Sequence, residues 1–159
     1  MNFKIHDDYT TPNEVWDYIA PHIPKDKVVW EPFYCDGKSG EYLRSLGFKV
    51  IHEKEDFFQN NKGDICVSNP PFSKAREVLQ RLVDIDKPFM LILPSAKIST
   101  QYFRKIFKDR KIQIMITPKR IAFNKIVDGK IPEGYKSRPF ADCFVYCYKM
   151  NFASDIIFL

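Results

Sequence analysis

The chain has 159 residues, 45% of them apolar and 15% aromatic, enough for one ordinary globular domain and too few for two large ones. It holds no apolar run long enough to span a membrane, and Met1-Asn2-Phe3-Lys4 lacks the basic-then-apolar pattern of a secretory signal, so a cytoplasmic, membrane-free protein is expected. The formal charge of +5 is uneven: twelve Lys or Arg against Asp109, Asp128 and Glu133 make the segment from Lys97 to Arg138 net +9, and the remainder net −4. That asymmetry suits an anionic partner, nucleic acid being the commonest, and equally suits a solvated basic face.

In chain order, helical spacing over roughly 13–20 leads to a first apolar run, Lys27 to Glu31, that ends in an acid and meets Pro32. The loop Glu31-Pro32-Phe33-Tyr34-Cys35-Asp36-Gly37-Lys38-Ser39-Gly40 then enters a helix over 39–46, for which Ser39 is the expected cap. Glycine in such a turn lets backbone approach a ligand closely, and the helix start offers free amides. A second strand, Phe48 to His52, precedes Glu53, which lies sixteen residues beyond Gly37. That is near the separation at which a carboxylate grips ribose hydroxyls in dinucleotide folds, and Glu55 is an alternative.

The third strand, Asp64 to Ser68, runs into Asn69-Pro70-Pro71-Phe72. Two consecutive prolines fix their own φ and push Asn69 out of the helical region, so the loop is stiff and aims its side chain. An exocyclic amine on an aromatic ring is a poor nucleophile because its lone pair is delocalised. The Asn69 side-chain oxygen and the Pro70 carbonyl are two acceptors for its two N–H groups, and Phe72 offers a stacking face, so positioning and electrostatics supply the chemistry without a strong base. A rigid turn between strand and helix is the plainer reading of Pro-Pro alone. The full tetrad after a buried strand favours catalysis.

A helix over 73–85, with Ser73 as expected cap, carries the apolar stripe Ala75, Val78, Leu79, Leu82 and Val83. Strands at Pro88 to Leu93, Ile112 to Ile116 and Cys143 to Tyr148, and a helix over 99–108, complete an alternation that predicts an α/β fold with a mostly parallel sheet covered on both faces. The connection from Thr117 to Asp142 reads as a mobile basic loop: Lys119, Arg120, Lys125, Lys130, Lys136 and Arg138 alternate with Phe123, Tyr135 and Phe140, and Pro132, Gly134 and Pro139 bend it. Such a loop suits phosphates and an unstacked base, with Phe140 anchoring the final strand. The cysteines (35, 66, 143, 147) and histidines (6, 22, 52) show no metal-ligand spacing, so reduced thiols and no metal site are expected. The apolar tail, Asn151 to Leu159, is expected to pack on its own domain or on another subunit.

These motifs, in this order, resemble the DNA adenine-N6 methyltransferases, above all the small viral and phage type. The resemblance covers nearly the whole chain. It implies a Rossmann-like class I methyltransferase sheet of seven strands with a reversed last strand, Cys143 to Tyr148, in a single domain over 1–159 without a separate target-recognition domain. It implies S-adenosyl-L-methionine as cofactor, with Tyr9, Thr10, Thr11 and Pro12 (after Asp8) capping the methionine part. Glu31, Pro32, Phe33 and Gly37 form the cofactor loop, Glu53 holds the ribose, and Asp56 and Phe57 hold the adenine. It makes Asn69, Pro70, Pro71 and Phe72 the catalytic tetrad. Where the family has the first glycine of acid-Pro-Phe-x-Gly-x-Gly, this chain has Cys35, which a positive φ would strain. Methylation of adenine in DNA is the leading expectation. RNA adenine methylation, protein glutamine methylation and a non-catalytic nucleic-acid-binding or assembly role are the alternatives, and the basic loop favours nucleic acid without separating DNA from RNA.

Overall fold

A computed structural model describes residues 9–125, 138–139 and 141–159. Its elements run β1 (Tyr9–Thr10), α1 (Asn13–Ile19), β2 (Val28–Trp30), α2 (Lys38–Ser45), β3 (Lys49–Ile51), β4 (Ile65–Ser68), α3 (Ala75–Asp84), β5 (Phe89–Pro94), α4 (Gln101–Phe107), β6 (Gln113–Ile116), β7 (Ala122–Lys125), β8 (Arg138–Pro139), β9 (Cys143–Tyr148) and β10 (Ile156–Phe158). Seven strands form one sheet in the order β10-β6-β9-β5-β4-β2-β3. All pairings in it are parallel except those of β9, which runs antiparallel to both β5 and β6. The expected reversed strand is thus present, but it lies inside the sheet and is not the last in the chain.

Alternation along the strands divides the core into two layers. Val67, Met90, Ile92, Met115, Val145 and Cys147 face α1 and α2, while Cys66, Phe89, Leu91, Leu93, Ile114, Tyr146 and Tyr148 face α3 and α4. On α3 the expected stripe, Ala75, Val78, Leu79, Leu82 and Val83, is the buried face. Each fully buried aliphatic side chain contributes about 1.5–3 kcal/mol, which is why short strands and seven-residue helices suffice.

Both expected caps are corrected. Gly37, in the left-handed region at φ 81°, caps α2, and Ser39 lies inside its first turn. Ser73 belongs to a 3-10 turn, Phe72–Lys74, and Lys74 precedes α3 without a side-chain cap. Gly40 meets a separate constraint: a Cβ there would stand 2.3 Å from the His52 ring, so its absence lets α2 approach the end of β3. The expected mobile loop is corrected as well. Residues 122–125 and 138–139 are strands of a second sheet, β1-β7-β8, in which Tyr9 pairs with Lys125 and Phe123 with Arg138. Lys130, Pro132, Gly134, Tyr135, Lys136 and Phe140 lie outside the described residues.

The apolar tail packs on its own domain. β10 pairs with β6, and buried Gln113 secures the turn before it: Nε2 donates to the Phe152 carbonyl (2.8 Å), the Ser154 carbonyl (3.0 Å) and Asp155 Oδ1 (3.1 Å), while Oε1 accepts from the Phe152 N–H (2.9 Å). Gln113→Ala strands these partners and is expected to cost about 2 kcal/mol in urea unfolding, with amide exchange at Ile156–Phe158 accelerating more than at β5.

Candidate active site

β2 is followed in sequence by β3 on one side and β4 on the other, which makes the carboxyl ends of β2 and β4 the switch point of the sheet. Glu31 leaves β2 there and Asn69 leaves β4. A cleft of about 290 Å³ opens at this point, lined by Tyr9, Thr10, Thr11, Pro12, Asn13 and Trp16 from β1 and α1, by Glu31, Phe33, Cys35, Asp36, Lys38 and Ser39 from the loop into α2, and by Asn69 and Asn124. Pairing of β1 with β7 forms its roof.

Glu31 is 2% exposed. Its Oε1 accepts from Ser68 Oγ at 2.5 Å and from the Phe33 N–H at 3.1 Å, and Oε2 accepts from Ser39 Oγ at 3.4 Å. Burial nevertheless pushes the carboxyl up to about 8, against the downward pull of these three bonds, so it is protonated at neutral pH, and among the described residues no cation is paired with it. The Glu31 carbonyl accepts from His52 Nδ1 at 2.7 Å, and burial keeps that imidazole below its usual value. His52 in turn stacks on Tyr34 at 4.7 Å.

Three polar atoms beside the cleft are buried without a hydrogen-bond partner: Trp16 Nε1, Asp36 Oδ2 and Asn69 Oδ1. Asp36 is the clearest. Its side chain is 7% exposed, Oδ1 accepts from the Lys38 N–H at 3.1 Å, and Lys38 Nζ is 3.9 Å from Oδ2, beyond hydrogen-bonding reach. Trp16 and Asp36 escaped the sequence reading because an amphipathic helix and a turn explain both residue types without a ligand. Only their unsatisfied atoms distinguish them.

Of the residues named from sequence, the structure gathers Tyr9, Thr10, Thr11, Pro12, Glu31, Phe33 and Asn69 around the cleft. Pro32, Pro70 and Pro71 are buried and do not line it, and Phe72 meets Phe123 of β7 edge to face at 5.8 Å. Glu53, Asp56 and Phe57 follow β3, one strand over, and do not line the cleft. Glu53 is ion-paired with Lys62 at 3.1 Å, Asp56 Oδ1 accepts from the Phe58 N–H at 2.8 Å, and Phe57 is buried between Trp30 and Phe33. Lys119 and Arg120 are committed to ion pairs, with Glu14 at 3.2 Å and Asp142 at 2.6 Å, that tie the roof to α1 and to the start of β9. Cys35 does take the left-handed conformation, at φ 50°, with an exposed side chain. Among the described residues there is no cluster of metal-ligating side chains, and no helix is long and apolar enough to cross a membrane.

The chain has the class I methyltransferase fold. It aligns with a protein described as an RNA methyltransferase from Pyrococcus horikoshii at TM-score 0.55 and 18% identity, over 93% of this chain and 90% of that one. It also aligns with a class I S-adenosylmethionine-dependent methyltransferase from Listeria monocytogenes at 0.53 and 9% identity, covering 99% and 67% of the two chains. A type I restriction enzyme modification subunit from Vibrio vulnificus follows at 0.50 and 10%, covering 87% and 44%. In sequence, 51 residues, 32% of the chain, are 41% identical to the type II methyltransferase M.EcoRI of Escherichia coli, and span 16% of that enzyme's length. No family model matches the chain.

The folded Glu31 carboxyl, raised to about 8, keeps its proton where the unfolded one, near 4.5, has lost it. The stability tied to this proton is full below 4.5 and lost as pH rises through 8. Glu31→Gln is expected to flatten this slope, at most about 1.4 kcal/mol per pH unit, and to overtake the wild type in stability above neutrality, as followed by urea unfolding across the pH range.

Proposed function

We propose that this chain is an S-adenosyl-L-methionine-dependent methyltransferase acting on the exocyclic N6 of adenine in DNA. The observation that carries this reading is Asn69 Oδ1, a buried acceptor without a donor, beside the cleft and directly after a central strand. It is the group that a planar amine with two N–H donors would satisfy.

The residues present fit the cofactor. A buried carboxyl with no cation opposite it, an unsatisfied carboxylate oxygen and an unsatisfied indole N–H suit the ammonium and carboxylate of an amino acid. Glu31 and Asp36 would hold the ammonium and Trp16 Nε1 the carboxylate, with Thr10, Thr11 and Pro12 over them and the family's Glu53, Asp56 and Phe57 beside β3. Cys35 shows that the loop adopts its left-handed turn without glycine, at the wall of the cleft. When bound, the cofactor supplies an electrophilic methyl on a sulfonium.

Asn69 Oδ1 and the Pro70 carbonyl accept the two amine protons and favour a pyramidal, more nucleophilic nitrogen. The prolines hold both acceptors still, so little reorganisation accompanies the reaction. Phe72, braced by Phe123, stacks on the base. An adenine in a duplex must be flipped to reach this loop, which favours single-stranded or distorted targets. The partial likeness to the type II methyltransferase M.EcoRI favours DNA over RNA or protein, and the order of motifs in the sequence is the ground for the small viral and phage type.

Asn69→Ala is expected to lower transfer of labelled methyl to adenine-containing DNA by about a hundredfold or more while leaving S-adenosylhomocysteine binding within about threefold. Full activity in that variant would remove Asn69 from the chemistry, and absent cofactor binding by folded wild-type protein would remove the enzyme. Calorimetry on Trp16→Phe and Asp36→Asn is expected to show S-adenosylhomocysteine bound about tenfold more weakly in each.

A further inference from the structure

We propose that the turns following β4 and β5 form a basic lip that grips the nucleic-acid strand flanking the target base, with Lys74, Arg76 and Lys97 on its phosphates and Ile98 against a neighbouring base. The proposal rests on the nucleic-acid reading above and assigns the contact to a different surface from the connection over 117–142.

Topology brings the parts together. β4 and β5 are adjacent and parallel, with Ser68 opposite Leu91, so the turns Phe72–Lys74 and Ser95–Ser99 leave the sheet side by side, at the end where Asn69 stands. α3 and α4 both begin there and pack against each other, and Arg76 and Glu77 of α3 act electrostatically on the Tyr102 hydroxyl of α4.

The charges there are available. Among the described residues, Lys74, Arg76, Lys97, Arg104 and Lys105 have no ion-pair partner, whereas Lys119 and Arg120 already have theirs. The first turn of α3 has one acid, Glu77, and the first turn of α4 has none. Phosphate contacts by Lys119 or Arg120 would exchange an existing surface ion pair for a new one. Contacts by the lip break no ion pair and release counterions. Beside Lys97, Ile98 is 43% exposed; among the described residues the other exposed large apolar side chains, Ile156 and Phe158, belong to the distant edge strand β10. An exposed aliphatic group between cations suits contact with an unstacked base step.

Fluorescence anisotropy on single-stranded DNA over a salt series tests the lip with Lys74→Gln/Arg76→Gln/Lys97→Gln. The control, Lys27→Gln/Lys49→Gln/Lys108→Gln, removes as many charges at the opposite end of the sheet. The lip variant is expected to bind at least about tenfold more weakly at low salt, with a log–log salt slope shallower by about two, at roughly 0.7 per lost contact. Its S-adenosylhomocysteine affinity should be unchanged and the control should lose no more than about twofold. Ile98→Ser should weaken binding a few-fold at constant slope, and an unchanged affinity would overturn its place in the surface. Equal losses in the two triple variants, or wild-type affinity in the lip variant, would overturn the lip. A wild-type protein that binds S-adenosylhomocysteine but no nucleic acid sinks the lip and leaves a methyltransferase of another substrate; one that binds neither sinks the functional reading itself.

Discussion

Glu31 organises the centre of this molecule through one side chain and one peptide. Its carboxyl accepts from Ser68 at the end of β4 and from Ser39 in α2, while its backbone donates to the Ile51 carbonyl and accepts from His52 beyond β3. A buried carboxyl without partners is costly, so these bonds hold three strand ends and one helix start in a single arrangement. Asn69 is the residue after Ser68. The aim of the proposed catalytic side chain is therefore set by a group whose other proposed task is to meet the cofactor.

The same arrangement explains why the cleft is polar yet incompletely satisfied. The roof is held from outside by Lys119 with Glu14 and Arg120 with Asp142, and from inside by Phe123 against Phe72. With the walls fixed, Trp16 Nε1, Asp36 Oδ2 and Asn69 Oδ1 have no freedom to seek one another. Preorganisation of this kind raises the cost of the free protein and lowers the cost of binding.

Much of the fold was legible because six strands and four helices bury enough apolar surface to leave a pattern: the runs at Lys27 to Glu31 and Pro88 to Leu93 and the stripe of α3 needed no context. The short strands β1, β7 and β8 left no such pattern, since they carry no continuous apolar run, and β1 finds its partner in β7 more than a hundred positions away. Gly37 displaced the expected Ser39 cap because left-handed backbone, available to glycine at no steric cost, starts the helix sooner. The tail's apolarity was readable, but its destination depended on Gln113. At the site, Glu31 and Asn69 stood out by their neighbours in sequence, while Asp36 and Trp16 are defined only by what they lack in space.

The antiparallel β9 has a consequence for how the chain is made. It lies between β5 and β6, so these two parallel strands share no hydrogen bond and are joined only through a segment that follows both. As the polypeptide emerges from a ribosome, β2 to β5 and their helices can assemble as they appear, but β6 has no neighbour until residues 143–148 arrive. During that interval the apolar flank of β5, from Phe89 to Leu93, presents an open edge, the kind of surface that invites association between nascent chains. The reversed strand is both the seam of the finished sheet and the step that ends its exposure.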